Sequence, residues 1–177
     1  MDEFWIFIAI QIFMGLVQKP TLHSYWTTDD FINTPIFSRL MRRDRFEQIR
    51  KMVHFTDSLL EDSQDSLSKL NTFLDTLREK FRANYKPEQH LAVDEYFSLW
   101  KGRLKFKMYI PSKRERYGIK IYMLCESETG YLHDFIVYTG ADTKYPVPSF
   151  PLPKDFAEYK NPSKVVLSLM EGYYGAG

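Results

Sequence analysis

An aspartate in the middle of an otherwise apolar stretch, Asp94 within Leu91-Ala92-Val93-Asp94-Glu95-Tyr96-Phe97, is costly if buried and therefore needs a partner. One use for it is as a metal ligand. Magnesium takes oxygen ligands, usually one or two carboxylates completed by water and phosphate oxygens, and a strand holds such a carboxylate rigidly. The other use is ordinary: a solvent-facing strand position, or an ion pair with Arg103 or Lys105. One carboxylate does not decide between these. Glu95, which strand alternation puts on the opposite face, reads as structural.

The segment after Asp94 is more specific. Lys101, Arg103, Lys105, Lys107, Lys113, Arg114, Arg116 and Lys120 are eight basic residues against the single acid Glu115, on a chain whose net charge is only +1. Lysines alternating along a strand, with Tyr109 and Tyr117 interleaved, suit contact with a phosphate backbone, and the first seven of these residues are the candidate DNA-binding set. The competing use is an edge strand whose lysines block aggregation. Arg42, Arg43 and Arg45 sit on a short charged helical face, which is more simply solvated.

Other chemistry is poorly supported. His23, His54, His90 and His133 lack the close paired spacing of a zinc site, and Cys125 has no base near it in sequence. A lone cysteine excludes an internal disulfide and favours a reducing, intracellular setting. Gly15, Gly102, Gly118 and Gly130 are isolated, so no phosphate-cradling loop is present.

The elements that must position these residues divide in two. The first 88 residues read as helical. Phe4 to Val17 is almost wholly apolar, but it opens with Asp2 and Glu3, is interrupted by Gln11 and ends at Gln18-Lys19-Pro20. It is too short for a membrane span and lacks the charges of a signal peptide, which leaves a helix buried on all sides. In Asp44 to Phe55, Phe46, Ile49 and Val53 fall at helical spacing. After the polar linker Glu61 to Ser66, Leu67, Leu70, Leu74, Leu77 and Phe81 continue a helix that Pro87 stops.

From residue 89 the period changes to that of strands. Leu91 to Phe97, a run from Arg103 to Ile110, Ile119 to Cys125 and Tyr131 to Tyr138 predict an antiparallel meander, with a hairpin at Ser127-Glu128-Thr129-Gly130. Five of the nine prolines then mark a loop between Tyr145 and Pro162, and Asn161-Pro162 opens a helix running to about Met170. Strands followed by a helix and a glycine-rich turn should lead into another strand, and none follows Gly177, so the pattern predicts a domain that continues. The fold class expected is α+β, with a helical region over 1–88 and a partial sheet domain over 89–177.

Lys19-Pro20, Tyr25-Trp26-Thr27-Thr28-Asp29, the run from Met41 to Asp57 and above all the run from Asn84 to Gly140 resemble the piggyBac transposase family. The last of these contains Val93-Asp94-Glu95, Lys101-Gly102-Arg103, the Tyr-x-Pro-x-Lys of Tyr109 to Lys113, and Tyr117-Gly118-Ile119-Lys120. Where the family often has a Lys-Pro pair in this segment, the chain reads Lys113-Arg114-Glu115-Arg116.

The resemblance implies the first half of a ribonuclease H-like fold behind a helical region. It implies DNA cleavage and strand transfer through a triad of aspartates holding two magnesium ions, and a nuclear location. Asp94 is the one residue that falls on a triad position, on the first strand; the second and third aspartates would lie beyond Gly177. The expectation is a stretch inactive by itself, with weak or absent magnesium binding, DNA as partner, self-association as a further possibility and no membrane. The alternative is a domesticated, non-catalytic DNA-binding or protein-interaction module.

Overall fold

The computed structural model describes residues 2–57, 62 and 64–175, and these form two compact units divided between His54 and Phe55. The first unit holds α1 (Asp2–Leu16), a short 3-10 turn over Leu22–Trp26, α2 (Pro35–Leu40) and α3 (Arg43–Met52). Its core is mostly aromatic: Phe7, Ile10, Tyr25, Phe37, Met41 and Phe46 are buried together. Phe7 meets Phe46 at 4.9 Å between ring centroids, and Tyr25 meets Phe37 edge-on at 4.8 Å, the tilted geometries that aromatic rings prefer. Polar tips of the half-buried rings find backbone partners, with Trp26 Nε1 donating to Met41 O at 2.8 Å and Tyr25 Oη to Met14 O at 3.2 Å.

The first helix departs from the expectation that it is buried on all sides. Phe7 and Ile10 face the core, whereas Trp5, Ile12 and Leu16 are 63%, 64% and 77% exposed. Its unit covers one stripe of the helix, and apolar composition alone does not say how many sides find a partner. The helix expected over Asp44 to Phe55 is α3, and Phe46 is buried with Ile49 and Val53 packed beside it as their spacing required.

The second unit contains α4 (Asn71–Asn84), β1 (Leu91–Leu99), β2 (Met108–Tyr109), β3 (Tyr117–Glu126), β4 (Leu132–Val137) and α5 (Asn161–Leu169). All four strands are antiparallel about a central β3. β1 pairs with it from Leu91 opposite Glu126 to Leu99 opposite Gly118, while β2 pairs with Tyr117 and Gly118, and β4 with Ile121 to Cys125, along its other edge. The sheet is therefore not the consecutive meander expected, because β3 lies between β1 and β2. The β3–β4 hairpin does form, with Gly130 at φ 71 supplying the left-handed residue. Gly118 allows the closest approach in the sheet: a Cβ there would lie 2.3 Å from Ser98 O and 2.7 Å from the Phe97 ring.

The strand expected from Arg103 to Ile110 shrinks to the two residues of β2. Residues 101–107 are turns and loop, tied by Lys107 Nζ donating to Gly102 O at 3.0 Å. A regular strand would line Arg103, Lys105 and Lys107 along one face about 7 Å apart, and a loop spares that like-charge repulsion.

Two helices flank the sheet. Val165 and Leu169 of α5 pack on Leu124 and Ile136, forming the second core. α4 packs against β4, with Phe81 against Phe135 at 6.2 Å. This helix begins at Asn71 rather than at Leu67, because Asp65 holds the preceding turns: its carboxylate accepts from Leu67 N at 2.9 Å and from Asn71 Nδ2 at 2.8 Å. Lys144 Nζ, 2.6 Å away, holds the Asp65 carboxyl down at about 2. Asp65 thus leaves the solvated linker in which the sequence placed it, while Glu61 and Ser63 of that linker lie outside the described residues. The compact units also assign α4 to the sheet side, whereas the sequence drew its line after residue 88.

Candidate functional site

Strand alternation on β1 sends Val93, Glu95 and Phe97 to one face and Asp94 and Tyr96 to the other. The first face is the one beneath α5, where Val93 packs with Leu124. Asp94 lies on the other face, which Phe81 of α4 covers at Phe135 of β4, and on β1 it is exposed, its carboxylate accepting the Glu95 backbone N–H at 2.7 Å. Neither Arg103 nor Lys105 forms an ion pair with it, so of the two ordinary uses weighed from sequence the ion pair is not made and the solvent-facing strand position is the one observed. Glu95 does have a structural partner: it pairs with Lys120 of β3. Burial pulls Lys120 down, but its hydrogen bond to Glu95 together with its interactions with Tyr122 and the Glu95 charge leaves its pKa raised.

Cys125 is half-buried on β3, one register step from the partner of Asp94. Burial raises its thiol pKa and the Asp94 charge adds to that, which makes it an unreactive neighbour. Among the described residues no three His, Cys, Asp or Glu side chains gather where they could hold a metal ion. His133 is a buried residue bonded to the Tyr173 hydroxyl. Burial, and then the charge of Arg82, hold its pKa below the ordinary value.

The basic residues lie on the loops either side of β2. Lys101, Arg103, Lys105, Lys113, Arg114 and Arg116 are all exposed, and none has an ion pair among the described residues. Lys107 is partly withdrawn, its ammonium 5.2 Å from the centre of the Tyr117 ring. Lys101, Arg103, Lys105 and Lys107 lie on the loop that follows β1, and Lys113, Arg114 and Arg116 on the loop between β2 and β3.

Two carboxylate clusters went unnoticed in the sequence. Asp134, fully buried on β4, accepts from Arg78 Nε at 2.8 Å and also pairs with Arg82, both on α4. Glu126, at the end of β3, accepts from Tyr85 Oη at 2.9 Å, from Glu88 N at 2.8 Å and from Thr129 Oγ1. Those hydrogen bonds lower its pKa, with Thr129 contributing most.

A family model described as Transposase IS4 matches residues 1–177. The chain is 31% identical over 140 residues to human PiggyBac transposable element-derived protein 3, a match covering 78% of this chain and 23% of the relative. It is 26% identical over 131 residues to human PiggyBac transposable element-derived protein 2, covering 71% and 21% of the two chains. The chain belongs to the piggyBac-type transposase family.

Its structure agrees with that assignment. A solved piggyBac transposase chain, from a cryo-EM synaptic complex with hairpin DNA, superposes with a TM-score of 0.67 at 30% identity, covering 79% of this chain and 30% of that one. The α+β class expected from sequence is the one observed. The chain spans under a third of the length of each of these relatives.

Proposed function

We propose that this transposase chain presents Asp94 as one metal-binding catalytic carboxylate, and that Lys101, Arg103, Lys105, Lys113, Arg114 and Arg116, with Lys107, contact the DNA backbone beside it. The observation that carries the reading is that Asp94 stands exposed on a rigid strand, at the β1 side of its sheet face, which α4 leaves uncovered, with no cation paired to it. Structural carboxylates in this sheet are paired, as Glu95 and Asp134 show. The six exposed, unpaired cations supply what phosphate binding requires: charge not already neutralised by the protein.

The described residues do not by themselves make a complete site for magnesium. Asp94 offers one ligand, and two ions about 4 Å apart need several carboxylates to offset their repulsion. The metal-dependent cleavage and strand transfer of the family therefore belong to more than these residues. Family membership favours the transposase reading over a non-catalytic interaction module. It likewise supports a nuclear location, and no helix among the described residues is long and apolar enough to cross a membrane. The exposed side of α1 at Trp5, Ile12 and Leu16 is the apolar surface available for self-association.

The test is a fluorescence-anisotropy titration of duplex DNA across salt concentrations. Non-specific binding is expected in the range of about 10⁻⁴ to 10⁻⁶ M at physiological salt, weakening steeply as salt rises. Arg103→Glu/Lys105→Glu should weaken it and flatten the salt slope, each lost phosphate contact reducing the slope by about one. Duplex binding unchanged by that double reversal would rule out this DNA path.

A further inference from the structure

The face that carries Asp94 is covered by Phe81 of α4 at Phe135, but toward β1 and β2 it carries a row of exposed tyrosines. Tyr96 lies two residues along β1 from Asp94 on the same face. Met123, the register partner of Asp94, shares its face with Ile121, Ile119 and Tyr117 along β3, and Tyr117 pairs with Tyr109 of β2. Three tyrosines on three strands therefore look out from the surface of Asp94, 52%, 49% and 50% exposed at Tyr96, Tyr109 and Tyr117.

Strand propensity and cross-strand pairing account for part of this. Tyr109 and Tyr117 stack against each other at 4.9 Å with Lys107 above the ring, a contact such neighbours commonly make. They do not account for the exposure of all three rings on one face, nor for Tyr96, which has no ring contact among the described residues. An exposed aromatic row rimmed by unpaired cations is the arrangement that receives single-stranded nucleic acid: cations track the backbone and rings stack on bases.

The length also fits. The seven residues of β3 from Tyr117 to Met123 span six steps, about 20 Å, which at about 3.4 Å per stacked nucleotide matches roughly six nucleotides.

Resting on the reading of this chain as DNA-binding, we propose that the face binds unpaired DNA, with bases stacked on Tyr109/Tyr117 and on Tyr96, so that Tyr96 fixes the nucleotide next to Asp94. The surface would thereby select DNA whose strands have separated near the reacting phosphate.

The experiment uses the 177-residue chain with a 12-nucleotide single strand containing 2-aminopurine and with the duplex of the same sequence, at matched salt. Backbone charge alone favours the duplex, because a single strand has the lower charge density. Tighter binding of the single strand, with the 2-aminopurine emission changed on binding, is therefore the expected and discriminating result. Tyr96→Ala and Tyr117→Ala should each weaken single-strand binding ~10-fold and leave duplex binding unchanged, whereas Tyr96→Phe and Tyr117→Phe keep the parent affinity and report an intact fold.

Alanine variants that bind the single strand as the parent does would overturn the proposal. So would a parent that prefers the duplex, although duplex binding sensitive to Arg103→Glu/Lys105→Glu would then leave the DNA reading standing. A parent that binds neither DNA would remove both.

Discussion

The two edges of the sheet treat the same residue type in opposite ways. On β4, Asp134 is fully buried and gripped by Arg78 and Arg82 of α4, while on β1, Asp94 is exposed and accepts only its neighbour's backbone N–H. Both are carboxylates within apolar strand sequence, Val93-Asp94-Glu95 and His133-Asp134-Phe135. What separates them is the helix: α4 brings two guanidinium groups onto Asp134, whereas among the described residues the one cation paired to β1, Lys120, goes to Glu95 and not to Asp94. A carboxylate whose charge is already balanced fastens a helix to a sheet, whereas one left unbalanced is free for a ligand.

The strongest way to break this comparison is at Asp134. Asp134→Ala should destabilise the chain by about 3–5 kcal/mol, because it leaves two arginine charges partly buried without their counter-ion. Chemical denaturation followed by circular dichroism measures it. A loss below about 1 kcal/mol, the range of an exposed pair, would mean that α4 is held by Phe81 and its neighbours and that the ion cluster is incidental. Next in size is Gly118, near the start of the central strand. Gly118→Ala puts a methyl group against Ser98 O and the Phe97 ring, which must move apart, and should cost about 1–3 kcal/mol. Since Gly118 and Tyr117 adjoin, the same variant should also perturb the Tyr109–Tyr117 stack, visible in near-ultraviolet circular dichroism.

Which of these features were legible in sequence follows from how local their causes are. The α3 helix, β1, the hairpin at Gly130 and the Pro162 start of α5 were readable because periodicity, a turn residue or a helix-opening proline sits within a few residues. The loop from Lys101 to Lys107 was misread as a strand because alternation is scored residue by residue, while the repulsion among aligned lysines belongs to the whole segment. The order β1-β3-β2 was hidden for a related reason: β3 matches β1 along nine residues, and adjacency in sequence carries no such information. Asp134 carried the same signal as Asp94 and was passed over, since its partners lie 56 and 52 positions away. At Asp94 the family resemblance, and not the spacing, supplied the discrimination.

A smaller effect sharpens the contrast through pH. His133, adjacent to Asp134, is buried against Tyr173 with its pKa depressed by burial and then by the Arg82 charge. A histidine whose folded pKa is lowered favours folding when neutral, so its contribution is complete above the unfolded value, about 6.5, and is lost as pH falls toward the folded value. Thermal unfolding temperature should therefore drop as pH falls from about 7 through this window, and His133→Gln should flatten the slope. An unchanged slope in the variant would assign the acid sensitivity to carboxylates such as Asp65, whose pKa of about 2 confines its effect to a lower pH, between the ordinary carboxylate range and that value.

The smallest expected effect is the one that separates the two aspartates most cleanly. Asp94→Asn removes a charge from an exposed position, keeps the side-chain volume, and keeps an oxygen that can accept the Glu95 N–H. No arginine or lysine is left unpaired by the change, in contrast to Asp134, and surface substitutions of this kind usually lie within about 0.5 kcal/mol of the parent. The variant should unfold with the parent in denaturant, with the Cys125 thiol pKa falling slightly because the neighbouring negative charge is gone. That thiol titration shows that the charge was removed where the strand register places it, independent of any stability change. A destabilisation above about 1 kcal/mol would show that Asp94 does hold the sheet together, and the distinction between a fastening and a free carboxylate would fail at the residue on which the functional reading depends.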